Sequence, residues 1–292
     1  MLIYHLFACT RDSELGNKYS EKAYYNMLIK GFKAGHLYLD TVVPEGLTKL
    51  KDPYNAKENY IYQGNIYSEN PQRLHDLTYY KGRLYLYFGV IPAVVLFLPY
   101  NILTGSYISH QEAVFVFASI GFLSMLMLIY LIWSRYYDKC PRYLLIGVII
   151  SLGLGSGIPT VLNRPDVWEI PILSGYAFTS CAVLTLFWGI CYHSLTKKSV
   201  FLISLFCMLA VGSRPNLILA VAVILIATVW QIYTATKTNY LSRLCIVTAT
   251  TLCLGSVLLF YNYIRYDDVF EFGQRYQLAD DNQNIAHFKI TY

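Results

Sequence analysis

Five long apolar stretches contain no Asp, Glu, Lys, Arg or His, and they constrain the fold more than any other feature. They are Ala113–Trp133, Tyr143–Leu162, Ile170–Tyr192, Asn216–Tyr233 and Leu244–Ile264. Each is close to the roughly 20 residues with which a helix crosses about 30 Å of hydrocarbon. A sixth charge-free stretch, Ser199–Ser213, has only 15 residues. The composition, 55% apolar and 14% charged, is also typical of a membrane protein.

The distribution of polar residues divides the chain into four parts. Residues 1–83 are polar and rich in tyrosine, residues 84–104 are apolar, residues 105–264 form a block of about six membrane spans, and residues 265–292 are a polar tail. Helices are the expected form of the spans, because lipid offers unpaired backbone groups no partner. The predicted class is therefore an all-α polytopic integral membrane protein.

Basic residues in the short loops predict the orientation. Seven lysines and arginines lie in three of these loops, Ser134–Arg142, His193–Lys198 and Thr234–Arg243. The alternate loops hold only two, Arg164 and Arg214. Since cytoplasmic loops are enriched in Lys and Arg, the first set is expected inside. Arg164, Arg214 and the tail are then expected on the outer face.

Charge and cysteine content exclude other classes of protein. The net charge of +5 comes from basic residues spread through short loops and the amino-terminal region, which does not indicate nucleic-acid binding. The seven cysteines form no C-x-x-C pair, so neither a disulfide framework nor a zinc site is indicated.

Of the 28 tyrosines, 15 lie in the first 107 residues. Such residues suit either an interfacial belt or a sugar-binding platform.

Arg214 lies in the motif Gly212-Ser213-Arg214-Pro215, directly after the short charge-free stretch. That stretch would extend only about 22 Å at 1.5 Å per residue, which places Arg214 below the outer headgroups. A guanidinium at that depth needs a partner, and an anionic lipid headgroup or a diphosphate would serve. The alternatives are that Arg214 extends to the interface and that Pro215 simply begins a helix.

The apolar stretch 84–104 decides whether one shared site can exist on the outer face. If Leu84–Leu103 crossed the membrane, the polar residues before it would lie on the opposite side from Arg214 and the tail. Pro92 and Pro99 disfavour a straight helix, and tyrosines at both ends suit an interfacial or re-entrant element. Its length of 20 mostly apolar residues still permits a span. We expect a juxtamembrane or re-entrant helix, with a span as the alternative.

Five sequence segments carry a resemblance to a known family. They are KAYYNMLIKGFKAGHLYL (22–39), KDPYN (51–55), HDLTYYKGRLYLYFGVIPAVVLFLPYNILTG (75–105), GSRPN (212–216) and NYIRYDDVFEFGQRYQLA (262–279). In these the chain resembles bacterial polytopic proteins of the GT-C glycosyltransferase superfamily. The resemblance implies a GT-C-like helical bundle in the bacterial cytoplasmic membrane. It also implies transfer of a sugar from a polyprenyl-phosphate donor to an envelope glycan, lipid or protein on the outer face.

The resemblance also implies roles for particular residues. The family's first outer loop supplies an acidic pair followed by a tyrosine, and the matching stretch here begins with Ser20 where the first acid would stand. Glu21 is then the candidate general base, with Asp52 and Asp76 as alternatives, although Asp before Pro53 also suits a turn. The residues assigned to the donor phosphate are Lys81, Arg83, Arg214, Arg265 and Arg275. A divalent cation could bridge carboxylate and phosphate, but the sequence contains no metal motif.

Two other functions stay open at this point. Ser20 in place of an acid favours a non-catalytic assembly or scaffold protein of an envelope pathway, which would have partners there. A transporter or flippase would place charges at mid-membrane, which the clean apolar stretches argue against. Because relatives of this kind begin with a full membrane helix and continue past the tail motif, we also expect a truncated or split version of the family architecture.

Overall fold

The computed structural model describes residues 4, 21–55, 57–59, 76–192, 195–235, 239–279 and 282. This part of the chain is mostly helical. In chain order its α-helices are α1 (Tyr24–Lys33), α2 (Glu45–Thr48), α3 (Leu98–Thr104), α4 (His110–Tyr136), α5 (Arg142–Gly155), α6 (Ile158–Leu162), α7 (Glu169–Cys191), α8 (Lys197–Ser213), α9 (Ile218–Ala235) and α10 (Tyr240–Tyr266). A π-helical turn covers Ala93–Phe97, and 3₁₀ turns cover Pro215–Leu217 and Gln274–Tyr276. The strands are β1 (Leu77–Tyr80) and β2 (Arg83–Leu86).

Five helical segments are long and apolar enough to cross a membrane. They are His110–Tyr136, Arg142–Leu162, Glu169–Cys191, Pro215–Thr234 and Tyr240–Tyr266, and they coincide with the five charge-free stretches of the sequence. The sixth stretch lies in α8, which has 17 residues. The prediction of a multi-pass helical membrane protein is confirmed at this level.

The 17-residue helix α8 packs against three longer helices of the bundle. α8 packs against α7, α9 and α10, while α4 packs against α7. Side chains on the inner face of α8, such as Val200, Ile203 and Cys207, are fully buried. A small residue also lets α7 pack closely against the segment that follows α8. A Cβ at Gly175 in α7 would lie only 2.6 Å from the Leu217 side chain.

Two helix starts follow from local sequence. Ser109 precedes α4 and forms a capping box: its hydroxyl accepts from the Glu112 amide, and the Glu112 carboxylate accepts from the Ser109 amide. Thr196 caps α8 by accepting from the Ser199 amide at 3.1 Å. In both cases a short polar first turn precedes the apolar run, so the helices begin a few residues before the chain turns apolar.

The strands β1 and β2 form an antiparallel hairpin, the one two-stranded sheet among the described residues. Lys81 and Gly82 connect them with positive φ angles of 48° and 74°, the backbone form that matches the twist of a two-residue hairpin. Sequence analysis assigned this stretch to the end of the polar segment and the beginning of the apolar one. The alternation covers only four residues in each strand, too few to predict a strand by periodicity.

The stretch 84–104 is not one continuous helix. It begins in β2, and its helical part runs through the π-helical turn into α3 and ends at Gly105 with φ 71°. Pro99 has no N–H to donate to the preceding turn, which is a physical reason for the irregular helix. The apolar helical part, Ala93–Thr104, is shorter than a membrane span.

The residues on either side of this irregular helix, Gly89 and Ile108, both accept hydrogen bonds from the first turn of α1. The Tyr25 hydroxyl donates to the Gly89 carbonyl at 3.2 Å, and the neighbouring Asn26 side chain donates to the Ile108 carbonyl at 2.9 Å. Between these points, Phe97 stacks on the Tyr25 ring with centroids 5.0 Å apart. Residues 89, 97 and 108 therefore all contact side chains from the first turn of α1.

Candidate functional site

Three distant parts of the chain meet at the end of the bundle where α8 terminates. Gly89 touches the carbonyl groups of Gly212 and Ser213 at the end of α8. Arg265, in the last turn of α10, donates to the Leu86 carbonyl at 3.0 Å. The amide of Leu278 in the tail donates to the Leu77 carbonyl at 2.8 Å. We call this meeting of the hairpin, the end of α8 and residues 267–279 the hairpin–tail junction.

Two glycines make the contact between the hairpin segment and α8 possible. An added Cβ at Gly89 would collide with the Ser213 and Gly212 carbonyl groups, and one at Gly212 would lie 2.6 Å from the Ile91 side chain. Backbone therefore lies against backbone, which only glycine permits. The contact brings the residues just before Gly89 to the start of the Arg214 segment.

Three charged residues of this junction act on the Tyr87 hydroxyl. Burial raises the pKa of the Tyr87 hydroxyl, the negative charge of Asp76 raises it further, Arg214 lowers it, and Glu271 raises it. One phenol is therefore within the field of two carboxylates and one guanidinium. Burial raises the pKa of the Tyr24 hydroxyl above its ordinary value, and the negative charge of Asp76 raises it further. Tyr24 therefore also lies within the field of Asp76.

Arg214 is a half-buried arginine whose guanidinium pairs with no carboxylate in the part of the chain that the structure describes. Its backbone is extended between α8 and the 3₁₀ turn that Pro215 begins. Its positive charge reaches Tyr25 and Tyr87, since it lowers the pKa of both against the larger effect of burial. The arrangement leaves a guanidinium available to an anion at the boundary between the apolar bundle and the polar junction.

Asp76 joins three segments through one side chain. Its Oδ2 accepts from Trp168 Nε1 at 2.6 Å, and its Oδ1 accepts from Gln277 Nε2 at 2.7 Å. Its backbone has a φ of 60°, a left-handed conformation that Asp tolerates better than most residues. Of the three acids proposed from sequence, it is the one that lies in the junction.

The other two proposed acids lie in different surroundings. Glu21 is largely exposed and forms an ion pair with Lys30 at 3.3 Å; Ser20 lies outside the described residues. Asp52 Oδ1 accepts from the Tyr54 amide at 3.0 Å, which is the side-chain-to-backbone bond of an Asx turn. The turn interpretation of Asp52-Pro53 therefore has direct geometric support.

Two of the proposed phosphate ligands, Lys81 and Arg83, lie on the hairpin surface. Lys81 Nζ is 2.7 Å from Asp267 Oδ2, and both side chains are mostly exposed. The Arg83 guanidinium lies over the Tyr38 ring, 4.6 Å from its centroid. The hairpin turn directs Lys81 to the tail, so the structure does not bring these cations together with Arg214.

Arg265 and Arg275 also have partners of their own. Arg265 is only 4% exposed and lies over the rings of Tyr261 and Tyr266, at 4.1 and 4.6 Å. Its Nη atoms bond to the Leu86 carbonyl and the Asn262 side chain, so it fastens α10 to the hairpin. Arg275 pairs with Glu271 at 3.4 Å and is mostly exposed.

A polar cluster that sequence analysis missed lies beside Asp76, before and at the start of α7. The side chains of Asp166 and Glu169 are both only 10% exposed, and Arg164 Nε lies 3.5 Å and 3.9 Å from their carboxylates. Glu169 Oε2 has no hydrogen-bond partner among the described residues. The Arg164 guanidinium covers Trp168 at 4.7 Å. The sequence did contain a signal for this cluster: the acids Asp166 and Glu169 flank Trp168 at the edge of an apolar stretch.

Tyrosine rings form a continuous layer over the hairpin and the tail. Tyr80 contacts Tyr276 at 4.5 Å between centroids and Tyr266 at 5.8 Å, and Tyr85 contacts Tyr266 at 5.5 Å. These rings pack on one another, so the contacts fit a structural layer, an interfacial belt and a sugar platform equally.

Within the described ranges, no group of three or more His, Cys, Asp or Glu side chains is arranged to hold a metal ion. Comparisons with protein-family models, with curated proteins and with solved structures found no match to this chain. The proposal for its function therefore depends on the residues and geometry described above.

Proposed function

We propose that this protein is a membrane glycosyltransferase of the GT-C kind. It would take a sugar from a polyprenyl-phosphate donor and transfer it to an envelope glycan, lipid or protein on the outer face of a bacterial cytoplasmic membrane. The observation that carries the proposal is Arg214, a half-buried guanidinium with no carboxylate partner among the described residues. It lies where an apolar bundle meets a polar junction.

That position suits a lipid-linked phosphate. The acyl chain of such a donor needs an apolar surface between or beside helices, and its phosphate needs a cation at the end of that surface. A guanidinium recognises phosphate through paired N–H donors. In glycosyl transfer, a cation stabilises the departing phosphate while a carboxylate accepts the proton of the attacking hydroxyl.

The path of residues 84–108 supports a site on one side of the membrane. Gly89 and Ile108 bond to the consecutive residues Tyr25 and Asn26, and α1 has 10 residues, or about 15 Å at 1.5 Å per residue. A segment that crossed about 30 Å of hydrocarbon would not have both ends beside so short a helix. The geometry therefore favours the re-entrant or juxtamembrane alternative, which keeps the hairpin, Arg214 and the tail together.

A second function is that of a non-catalytic envelope scaffold. The hydrogen bonds and ion pair that the three candidate acids form within the protein favour it. Each oxygen of Asp76 already accepts a hydrogen bond, Asp52 is engaged in a turn, and Glu21 is exposed and paired with Lys30. In this conformation each of the three carboxylates is thus engaged by groups of the protein itself. A scaffold would retain Arg214 as a lipid-phosphate ligand without transferring sugar.

A transfer assay separates the two functions. The full chain in nanodiscs is given a set of polyprenyl-phosphate sugars with envelope acceptors, and Glu21→Gln, Asp52→Asn and Asp76→Asn are compared with wild type. Transfer by wild type that is lost in one of these variants supports the enzyme and identifies its base. Binding of polyprenyl phosphate without transfer from any donor supports the scaffold. Absence of both binding and transfer would overturn the proposal.

A further inference from the structure

The irregular helix Ala93–Thr104 is apolar on its exposed side as well as on its buried side. The buried side consists of residues about one turn apart, Ala93, Phe97 and Asn101. The exposed side carries large aliphatic side chains, of which Leu103 is 84% exposed. We call these side chains, Val94, Ile102 and Leu103, the apolar face. A helix that is apolar on both sides needs apolar surroundings on both.

The place of the apolar face in the chain puts it at a membrane boundary. Leu103 is seven residues before His110, the first residue of α4, and α4 is long and apolar enough to cross a membrane. Seven residues reach at most about 25 Å when fully extended. Here the chain also folds back, since the Asn101 side chain donates to the Ser106 carbonyl at 3.0 Å. Hydrocarbon is therefore within reach of the apolar face.

α1 covers the opposite side of the irregular helix and is charged where it is exposed. Phe97 stacks on the ring of Tyr25, and Lys33 Nζ, in the last turn of α1, donates to Asn101 Oδ1 at 3.0 Å. The exposed side chains in and just before α1 are Glu21, Lys22 and Lys33. The two helices together are thus charged on one side and apolar on the other, which is the arrangement of an element that lies in the membrane interface.

Lys33 differs from the neighbouring Lys30 in its partners. Lys30 pairs with Glu21 at 3.3 Å and lies over the Tyr107 ring at 4.9 Å. Among the residues that the structure describes, Lys33 meets no carboxylate, and its partner Asn101 is neutral. Its charge is held one residue from Ile102, at the end of the apolar face. A charge deep in the bilayer is costly, so Lys33 keeps this end of the helix at the level of the headgroups.

We propose that the irregular helix lies in the membrane interface with its apolar face among the acyl chains, and that Lys33 binds the phosphate of an anionic phospholipid there. The leaflet is the one at which α4 begins. The apolar face supplies the burial of hydrocarbon, and the ammonium supplies the attraction to anionic headgroups. The proposal does not rest on the proposed function, because an ordinary phospholipid is sufficient and no sugar donor takes part.

Quenching by brominated lipid tests the insertion. Leu103→Cys, in a background without the native cysteines, is labelled with bimane, and the full chain is placed in phosphatidylcholine nanodiscs with a fraction of acyl-brominated phosphatidylcholine. Because Leu103 is exposed, its replacement leaves the packing intact. The same label at Leu252→Cys, an exposed position within α10, is the lipid-facing control, and Lys49→Cys, exposed in water beside α2, is the water-facing one.

We expect the label at position 103 to be quenched as strongly as the label at position 252, and the label at position 49 to keep its fluorescence. Quenching at position 103 as weak as that at position 49 would overturn the proposal, since the apolar face would then lie outside the hydrocarbon.

The headgroup part is tested by replacing the brominated phosphatidylcholine with brominated phosphatidylglycerol at the same fraction. The label at position 103 should favour phosphatidylglycerol by about fivefold, the factor that corresponds to about 1 kcal/mol for a lysine near an anionic surface, and the label at position 252 should show no preference. Lys33→Gln removes the charge but keeps an N–H donor for Asn101, so it should abolish the preference. Lys49→Gln, the matched loss of a charge, should retain it.

Two results would overturn the role of Lys33 while the insertion stands. One is equal quenching by the two lipids at position 103 with Lys33 intact. The other is a preference for phosphatidylglycerol that survives in Lys33→Gln.

Discussion

Gly89 lies directly against the carbonyl oxygen of Ser213, with no space for a side chain between them. These residues are far apart in sequence, one following the hairpin and the other ending α8. Their contact holds the hairpin segment against the start of the Arg214 segment. The proposed site therefore depends on a backbone contact as much as on its charged groups.

Gly89→Ala should destabilise the protein. The new methyl group would collide with backbone, which cannot turn aside as a side chain can, and overpacking of this kind typically costs about 1–3 kcal/mol. Thermal unfolding of the full chain in detergent, followed by circular dichroism, would measure it. Gly147→Ala is the matched control, since a Cβ there meets open space and alanine favours helix over glycine. Equal melting temperatures for the two variants would contradict the tight contact.

Arg214→Ala should weaken binding of polyprenyl phosphate by more than the roughly 0–1 kcal/mol of an exposed ion pair. Arg214→Lys should restore only part of the affinity, because lysine lacks the planar fork that binds two phosphate oxygens. Arg275→Ala is the control: this arginine is mostly exposed and already pairs with Glu271. Titration of polyprenyl phosphate in nanodiscs measures the affinities. If Arg214→Ala binds with wild-type affinity, Arg214 is not a phosphate ligand and only extends to the membrane interface.

Labelling of single cysteines tests the path of residues 84–108. In a background without the native cysteines, Lys51→Cys and Phe270→Cys should both react with a membrane-impermeant thiol reagent in intact cells. Both original side chains are exposed, and the return of the chain to α1 places them on one side. Lys139→Cys, in a loop predicted to be cytoplasmic, should be protected. Protection at position 51 with labelling at 270 would show that the segment crosses the membrane.

Two buried glutamates should respond oppositely to conversion to glutamine. Glu169→Gln should leave stability unchanged or raise it, because Oε2 of this buried carboxylate has no hydrogen-bond partner among the described residues. Its ion pair with Arg164 is long, at 3.9 Å, and compensates poorly for burial of the charge. Glu271→Gln should lower stability by about 1–3 kcal/mol, because its carboxylate accepts from the Gly273 amide and pairs with Arg275. Thermal unfolding of both variants measures the effect. A loss in Glu169→Gln as large as that in Glu271→Gln would mean that Oε2 of Glu169 has a partner.

Several features of this protein were determined by sequence alone. The five helices that are long and apolar enough to cross a membrane follow from charge-free runs of about 20 residues, because lipid excludes ionised side chains and unpaired backbone groups alike. The start of α4 follows from Ser109 and Glu112, since a capping box is a local interaction. The same local chemistry made Asp52-Pro53 readable as a turn. Such signals depend only on neighbouring residues, so they can be recognised in the sequence without knowledge of the fold.

Only the tertiary structure decided which charged groups meet. Lys81 and Arg265 were grouped with Arg214 from sequence, yet Lys81 pairs with Asp267 and Arg265 is enclosed between tyrosines under the hairpin. Asp76 is joined to Gln277 and Trp168, which lie far along the chain. Contacts of this kind depend on how the hairpin folds over α8 and α10. No local propensity encodes that arrangement, because it results from packing many weak contacts between segments that are distant in sequence.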